Sequence, residues 1–275
     1  MRFGLRPTAG LLSATNGSRP RLRRCWGGGS YRAHRVARAK DPALQKNGNL
    51  PYPDGWANQV LEKTAMGISK LAWQGEVLAI QPRIRLMRAF DQRNHAYPGY
   101  ALFLSGTLGG VARLFSVGIG PAAQVKHAFR AGDTVRGLAV PIADQRMETA
   151  DLYKASALEV ISRATTTPAK GPPWQGVPPS LKTYRARGHR RLDQSTYEGS
   201  CRICIWGCRM PVEITLDQWA PDSREYRFET FCYGPKSCPC YRAGATRKVL
   251  GRNGMVWEEE DWVDEEATAQ RGPDE

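Results

Sequence analysis

Apolar and polar side chains alternate over several short stretches between residues 70 and 163, which is the pattern of half-buried β-strands. In the first stretch, residues 70–80, Leu71 and Trp73 fall on one side and Gly75 marks a bend or bulge. A proline at the start of residues 121–130 favours a short helix there. Further strands are predicted at residues 84–90, 99–104, 112–119, 134–142 and 151–161.

The order of these elements is a run of strands, a short helix between the third and fourth, and then further strands. It resembles the OB-fold, a small five-stranded Greek-key barrel. The segments that carry the resemblance are Trp73–Ile80, Gly99–Leu104, Ala112–Ile119, the helix near Val125, and Gly132 to Val135 leading into a strand. Some other small β-barrel or sandwich is the alternative. Residues 70–163 are therefore predicted to form an OB-like β-barrel.

A second alternating region lies near the C-terminus, between two groups of three cysteines. Residues 211–219 and 225–233 each alternate with period two, and residues 220–223 between them have turn chemistry. The pattern predicts a β-hairpin. The six cysteines that flank it are Cys201, Cys204, Cys208, Cys232, Cys238 and Cys240.

The cysteine spacing resembles that of zinc ribbons, in which one cysteine pair precedes a hairpin and another follows it. Cys201 and Cys204 have the spacing that lets two sulfurs reach one tetrahedral Zn²⁺ ion. The second group contains no such pair, so the third and fourth ligands stay open among the remaining cysteines, and His189 is a conceivable extra ligand. Six thiols exceed the four that one zinc needs. The alternatives to one structural zinc are an iron–sulfur cluster, disulfides or no metal.

The fold prediction is therefore mainly β, with an OB-like barrel followed by a zinc-ribbon-like hairpin module over residues 201–257. Residues 1–65 are predicted to be a disordered basic tail. A transit peptide or a true start at Met66 are the other interpretations. Residues 164–200, rich in proline and basic side chains, are predicted to be a linker, and residues 258–275 an acidic tail.

Charge is distributed unevenly along the chain. The formal net charge is +14 at pH 7, but much of the surplus lies in the tail that is predicted not to fold. A basic surface attracts polyanions such as nucleic acid. Clustered cysteines without a signal peptide indicate a reducing compartment, so we expect a cytoplasmic protein. No apolar run is long enough to span a membrane.

Basic and aromatic residues interleave in the second part of the predicted barrel sheet. OB-folds that bind single strands use such sets, because aromatic rings stack on bases and cations follow the phosphates. The alternative is that the arginines form a solvated strand face and the aromatic rings lie in the core. The candidate nucleic-acid-binding residues are Arg83, Arg85, Arg88, Phe90, Arg93, Tyr97 and Tyr100.

No motif in the sequence indicates catalysis: GxxxxGK[ST], GxSxG and HExxH are all missing from it. We therefore expect a non-enzymatic, metal-stabilised protein that binds single-stranded nucleic acid or RNA. One alternative is an iron–sulfur redox protein. Another is an accessory protein of acyl-CoA enzymes, suggested by a resemblance to a family that joins a rubredoxin-like zinc ribbon to an OB-fold in the opposite order. The acidic segment with Trp257 and Trp262 is a candidate docking site for a protein partner.

Overall fold

The computed structural model describes residues 69–90, 92–165, 171–220 and 222–272. The predicted basic tail, its alternative start at Met66 and Cys25 lie outside the described residues. The strands are β1 Leu71–Ala89, β2 Gln92–Leu108, β3 Val111–Ile119, β4 Thr134–Pro141, β5 Leu152–Ser162, β6 Arg190–Arg191, β7 Gly207–Thr215, β8 Arg224–Cys232, β9 Arg247–Leu250 and β10 Val256–Glu259. The helices are α1 Pro121–His127, α2 Leu181–Arg187, α3 Gln194–Gly199 and α4 Asp261–Ala267, and short 3-10 turns lie at Gln145–Met147, Cys201–Ile203 and Arg252–Gly254.

The first five strands close into a ring. β1 pairs with both β2 and β4, β2 pairs with β3, and β5 lies between β3 and β4. The β3–β5 contact is parallel and the other pairings in the ring are antiparallel. Helix α1 connects β3 to β4, as the sequence pattern predicts. The prediction of a mainly β fold is therefore confirmed.

Two features of β1 allow it to curve around the barrel. Its register against β2 shifts between Val77 and Ala79 and again between Arg83 and Arg85, and such bulges bend a strand. At Gly75 an added Cβ would lie 2.7 Å from the carbonyl oxygen of Ser105. Only glycine therefore permits the close approach of β1 and β2 at this bend, which was predicted from the sequence.

The interior of the ring is filled by inward-facing apolar side chains of the strands. Trp73 is almost fully buried and meets Phe115 edge to face, with 6.3 Å between the ring centroids. Val77, Leu102 and Leu104 complete the centre of this core and are 1 % exposed or less. Burial of such side chains is the main favourable contribution to the stability of the barrel.

The C-terminal hairpin forms as predicted, from β7 and β8, but the structure does not confirm it as a separate module. β7 pairs in parallel with the end of β1, from Leu86 opposite Val212 to Ala89 opposite Thr215. One eight-stranded sheet results, in the order β2-β3-β5-β4-β1-β7-β8-β6. The hairpin joins the barrel sheet because β1 is long: its C-terminal part extends past the barrel and pairs with β7.

The stretch predicted as a linker contains ordered elements where the structure describes it. Helix α2 begins at the capping side chain of Ser180, and helix α3 begins at that of Asp193. Tyr184 of α2 is fully buried and donates a hydrogen bond to the carbonyl of Ile205 at 2.6 Å. This part of the chain therefore packs on the hairpin and does not span a gap between two units.

Two histidines meet between β2 and the start of β6. The ring centroids of His95 and His189 are 4.9 Å apart, and His189 also packs against Phe231. Burial lowers the pKa of His95 to about 4, and the charge of Arg93 adds to the shift. Burial, and then the neighbouring His95, lowers the pKa of His189 well below its ordinary value. Both rings are therefore neutral in the folded protein at neutral pH.

We expect this pair to make the fold sensitive to acid. Below pH 6.5 the unfolded chain takes up protons at both histidines while the folded chain does not, so stability is lost as the pH falls towards 4. The free energy of unfolding should fall by about 2 kcal/mol between pH 7 and pH 5.5. Urea unfolding at several pH values measures this. The variant His95→Gln/His189→Gln should lose most of this dependence, and an unchanged dependence would contradict the assignment.

Candidate metal centre and adjoining cleft

The structure separates the six described cysteines into a group of five and a single one. Cys201, Cys204, Cys232, Cys238 and Cys240 line one cavity of about 10 Å³ at the base of the hairpin. Among the described residues, none of the six cysteines forms a disulfide bond.

The remaining cysteine, Cys208, belongs to the hydrophobic core. It is fully buried, and its Sγ lies 3.4 Å from the carbonyl oxygen of Pro82. It occupies an inward-facing position of β7, whereas Cys204 lies in the turn before that strand. The compact triplet on which the iron–sulfur alternative was based is thus divided, because Cys208 does not line the cavity that the other five cysteines share.

The turn that carries the first two cysteines is held from two sides. The Cys204 amide donates to the Cys201 carbonyl at 3.1 Å, and the amide of Gly207 donates to the Cys204 carbonyl at 3.0 Å. From β1, Nε2 of Gln81 donates to both of these carbonyls, at 2.8 and 3.0 Å. Tyr197 of α3 donates its hydroxyl to Oε1 of Gln81 at 2.7 Å. Every polar atom of the buried Gln81 amide is therefore used to fix this turn.

The sulfurs lie in a buried environment that also contains hydrogen-bond donors. The amide of Gly234 donates to Sγ of Cys232 at 3.3 Å, and backbone amides of Trp206 and Trp174 donate to Cys204. Burial raises the pKa of Cys204 to about 12 and also raises that of Cys232, while these amides act in the opposite direction. Buried thiols of this kind become thiolates when a bound cation supplies the compensating charge.

The donor set and its enclosure suit a tetrahedral thiolate-bound metal such as zinc. As the side chains stand, no group of three or more His, Cys, Asp or Glu residues in the described part of the chain is placed to hold a metal ion. His189, considered as an extra ligand, lies instead against Phe231 and Tyr233.

The predicted nucleic-acid-binding arginines are mostly engaged with carboxylates. Arg83 and Arg85 both approach Glu148, at 3.2 and 2.7 Å. Arg88 is buried and pairs with Glu259 at 2.6 Å. These three side chains lie within structural ion-pair networks, so they do not form an open track for phosphates.

The other members of the predicted set are also largely built into the fold. Phe90 packs edge to face on Trp257, and Tyr100 is buried with its hydroxyl donating to the carbonyl of Pro179 at 2.8 Å. Tyr97 is half-buried and Arg93 is the most exposed of the set. The alternative interpretation placed the aromatic rings in the core and the arginines in solvent. The structure agrees with it for the aromatic rings, whereas Arg83, Arg85 and Arg88 form ion pairs.

A cleft that the sequence did not indicate opens beside the cysteine turn. It has a volume of about 140 Å³ and lies between strands β1 and β2 of the barrel and the segment from α3 to β7. Phe103 lines it from β2, and Thr149, Glu198, Arg202 and Arg209 also line it. Both arginines are exposed. In the sequence, Arg202 lies between Cys201 and Cys204 and does not stand out as a binding residue. Arg209 could have been predicted to face solvent, because it alternates with apolar residues of β7.

The acidic segment near the C-terminus packs against the protein itself. Asp264 of α4 pairs with the buried Arg191 at 3.0 Å, and Asp261 contacts the same guanidinium. Glu259 pairs with Arg88. Much of the acidic charge is therefore engaged within the fold, while Trp262 is 48 % exposed.

No protein-family model, no curated protein and no solved structure matches this chain. The functional argument consequently depends on the geometry of the cysteine cavity and the cleft. Among the described residues no helix has the length and apolar character needed to cross a membrane.

Proposed function

We propose that this protein is a non-enzymatic, metal-stabilised protein that binds single-stranded nucleic acid. The observation that carries the proposal is the cleft that Phe103, Arg202 and Arg209 line together. It lies on the outer face of strands β1 and β2 of the barrel, next to the turn that carries Cys201 and Cys204. OB barrels bind oligonucleotides on their outer strand face and adjoining loops.

The chemistry of this cleft suits a nucleotide. A half-buried aromatic ring offers a surface on which a base can stack, and two arginines offer charge for the phosphates. Arg209 lies over the ring of Phe228, with 4.1 Å between Cζ and the ring centroid. Within the described part of the chain, Arg202 makes a long, exposed contact with Glu198 at 3.9 Å, and such pairs contribute little. Both guanidinium groups are thus open to a polyanion.

The metal has a structural role in this proposal. Four of the five clustered cysteines would hold one Zn²⁺ ion, which would fix the base of the hairpin and the turn before β7. The ion would supply the positive charge that permits several thiolates in a buried place. The cytoplasmic location and a protein partner for the acidic segment stay predictions.

Replacing both cleft arginines tests the proposal. We expect Arg202→Ala/Arg209→Ala to weaken binding of an oligothymidylate of about 20 nucleotides by about 10- to 100-fold at low salt, because two phosphate contacts are lost. The slope of log affinity against log salt should become shallower by about 1.4. Fluorescence anisotropy at several salt concentrations measures both quantities.

The matched control removes the same charge elsewhere on the barrel. Arg113→Ala/Arg136→Ala should leave the affinity within about threefold, because neither residue lines the cleft and only the general field changes. Phe103→Leu should weaken binding by about tenfold through lost stacking. If the unaltered protein binds no oligonucleotide even at low salt, the proposed function is wrong.

A further inference from the structure

We propose that a cavity lined by Phe90, Trp257 and Trp262 binds the trimethylated ammonium group of a lysine side chain in a basic peptide. This cavity, the aromatic cavity, has a volume of about 160 Å³ and lies between the ends of β1 and β2 that adjoin each other, β10 and helix α4. It shares no lining residue with the cleft beside the cysteine turn. The inference is therefore independent of the proposed nucleic-acid binding.

The three aromatic rings stand at steep angles to one another. Phe90 meets Trp257 at 68°, with 6.2 Å between the ring centroids, and Trp257 meets Trp262 at 80° and 6.1 Å. The face of an aromatic ring is negative and attracts a cation that lies within about 6 Å of its centroid. Rings at such angles can surround one cationic head group from more than one side.

The backbone at Phe90 adopts a conformation that is rare for a residue with a bulky side chain. Phe90 follows β1 directly, and its φ is +28°. Gly251 leaves space for its ring, because an added Cβ at Gly251 would lie 2.7 Å from Cδ2 of Phe90. Strained backbone of this kind is concentrated at ligand-binding sites. Here it sets the position of one wall of the aromatic cavity.

Two arginines and two glutamates also line the aromatic cavity, but their charges are not equally available to a ligand. Arg88 is buried and pairs with Glu259 at 2.6 Å, and Arg93 approaches the same carboxylate at 3.7 Å. Glu266 is exposed, and none of the ion pairs within the described part of the chain includes it. The carboxylate that remains for a ligand is that of Glu266, and it favours a cation.

A trimethylated ammonium suits this lining better than an unmodified one. The ammonium of an ordinary lysine is strongly hydrated and carries three N–H donors that need acceptors. The carboxylate of Glu259 is already engaged by Arg88 and Arg93. A trimethylated group has no N–H donor to satisfy, and it is attracted to aromatic rings by its charge.

The surroundings of the aromatic cavity favour a peptide over a choline headgroup as the source of this group. Glu260 and Glu265 belong to the same acidic segment as Trp257 and Trp262, and both are exposed. Exposed carboxylates attract basic residues that flank a methylated lysine, whereas they repel the phosphate of a phosphocholine. We therefore expect the ligand to be a basic peptide.

The experiment compares three versions of one short, arginine-flanked peptide, titrated into the full chain by isothermal calorimetry. The central residue is trimethyllysine, lysine, or a neutral analogue of trimethyllysine in which carbon replaces the charged nitrogen. We expect the trimethyllysine peptide to bind about tenfold more tightly than either of the others, because only its head group combines charge with methyl contacts to the rings. Phosphocholine, titrated separately, should bind more weakly than the trimethyllysine peptide.

Substitutions in the chain locate the binding to the aromatic cavity. Trp262 is 48 % exposed, so replacing it should leave the fold intact. Trp262→Leu should weaken binding of the trimethyllysine peptide by about tenfold, and Trp262→Phe by about threefold, because phenylalanine keeps a weaker aromatic face. Trp219 is 82 % exposed in the β7–β8 turn and does not line the cavity. The matched control Trp219→Leu should keep the affinity within about twofold.

Four outcomes would overturn the inference. Equal affinity for the trimethyllysine peptide and its neutral analogue would show that the charge is not recognised. Equal losses in Trp262→Leu and Trp219→Leu would place the binding elsewhere. Tighter binding of phosphocholine than of the trimethyllysine peptide would exclude the peptide as the ligand. Absence of binding up to about 1 mM peptide would refute the site itself.

Discussion

Cys204→Ser is expected to abolish stoichiometric metal binding and to lower the free energy of unfolding by more than about 3 kcal/mol. The side chain belongs to the group of five that lines the cavity, and two backbone amides donate to its sulfur. Metal binding by a structural zinc site contributes directly to folding, on the order of 10 kcal/mol in small zinc domains. Metal analysis of purified protein and urea unfolding measure the two effects.

Cys208→Ala is the control for this prediction. Cys208 is more deeply buried than Cys204 and lies in the core against the carbonyl of Pro82. We expect this variant to keep its full metal content and to lose about 1 kcal/mol, the usual cost of removing one buried heavy atom. Full metal content in Cys204→Ser would contradict its role as a ligand. A brown protein that loses its colour in Cys208→Ala would favour the iron–sulfur alternative.

Arg191→Met is expected to destabilise the fold by about 3–5 kcal/mol, because it leaves the largely buried carboxylate of Asp264 without its cation. Arg191 is 1 % exposed. Its guanidinium pairs with Asp264 at 3.0 Å, contacts Asp261 and donates to the Glu259 carbonyl at 2.6 Å. The side chain of Arg191 thus helps to fix the acidic helix α4 to β6, together with its backbone amide, which donates to Asp264 at 3.0 Å. Loss of the side chain should show as a lower urea midpoint.

A matched substitution at an exposed ion pair gives the comparison. Arg136→Met removes the pair with Glu159 at 2.8 Å, in which both side chains are solvent-accessible. Pairs of this kind contribute roughly 0–1 kcal/mol, so this variant should unfold close to the unaltered protein. Equal effects of the two substitutions would show that Arg191 does not have the structural role given to it here.

The alternating pattern was sufficient to predict the barrel but not the extent of its strands. Residues 70–80 and 84–90 were predicted as two strands, and they form the single strand β1. Pro82 lies between them, and proline usually ends a strand. In the described pairings β1 meets β4 only up to Glu76 and β7 only from Leu86. β1 therefore has a partner on one side at Pro82, and proline is tolerated there.

The cysteine cavity and the cleft were only partly predictable, because they depend on contacts between residues distant in sequence. Spacing identified Cys201 and Cys204, but spacing cannot show that Cys208 faces inward from a strand while Cys240 returns to the cavity. The interleaved arginines near residue 85 were interpreted as surface because their ion-pair partners are distant in sequence, Glu148 for Arg85 and Glu259 for Arg88. Contacts of that range leave no local pattern. The cleft arginines were missed for the same reason.

The parallel contact between β1 and β7 has a consequence for how the chain is made. Val212 pairs with Leu86, and Cys208 meets Pro82, across a separation of 126 residues. At ordinary rates of synthesis, the interval between translation of the end of β1 and translation of β7 is on the order of ten seconds. During that interval the end of β1 presents an unpaired edge that carries Leu86, which is the kind of surface that nascent chains offer to chaperones. The barrel strands can close first, whereas the sheet is completed only near the end of translation.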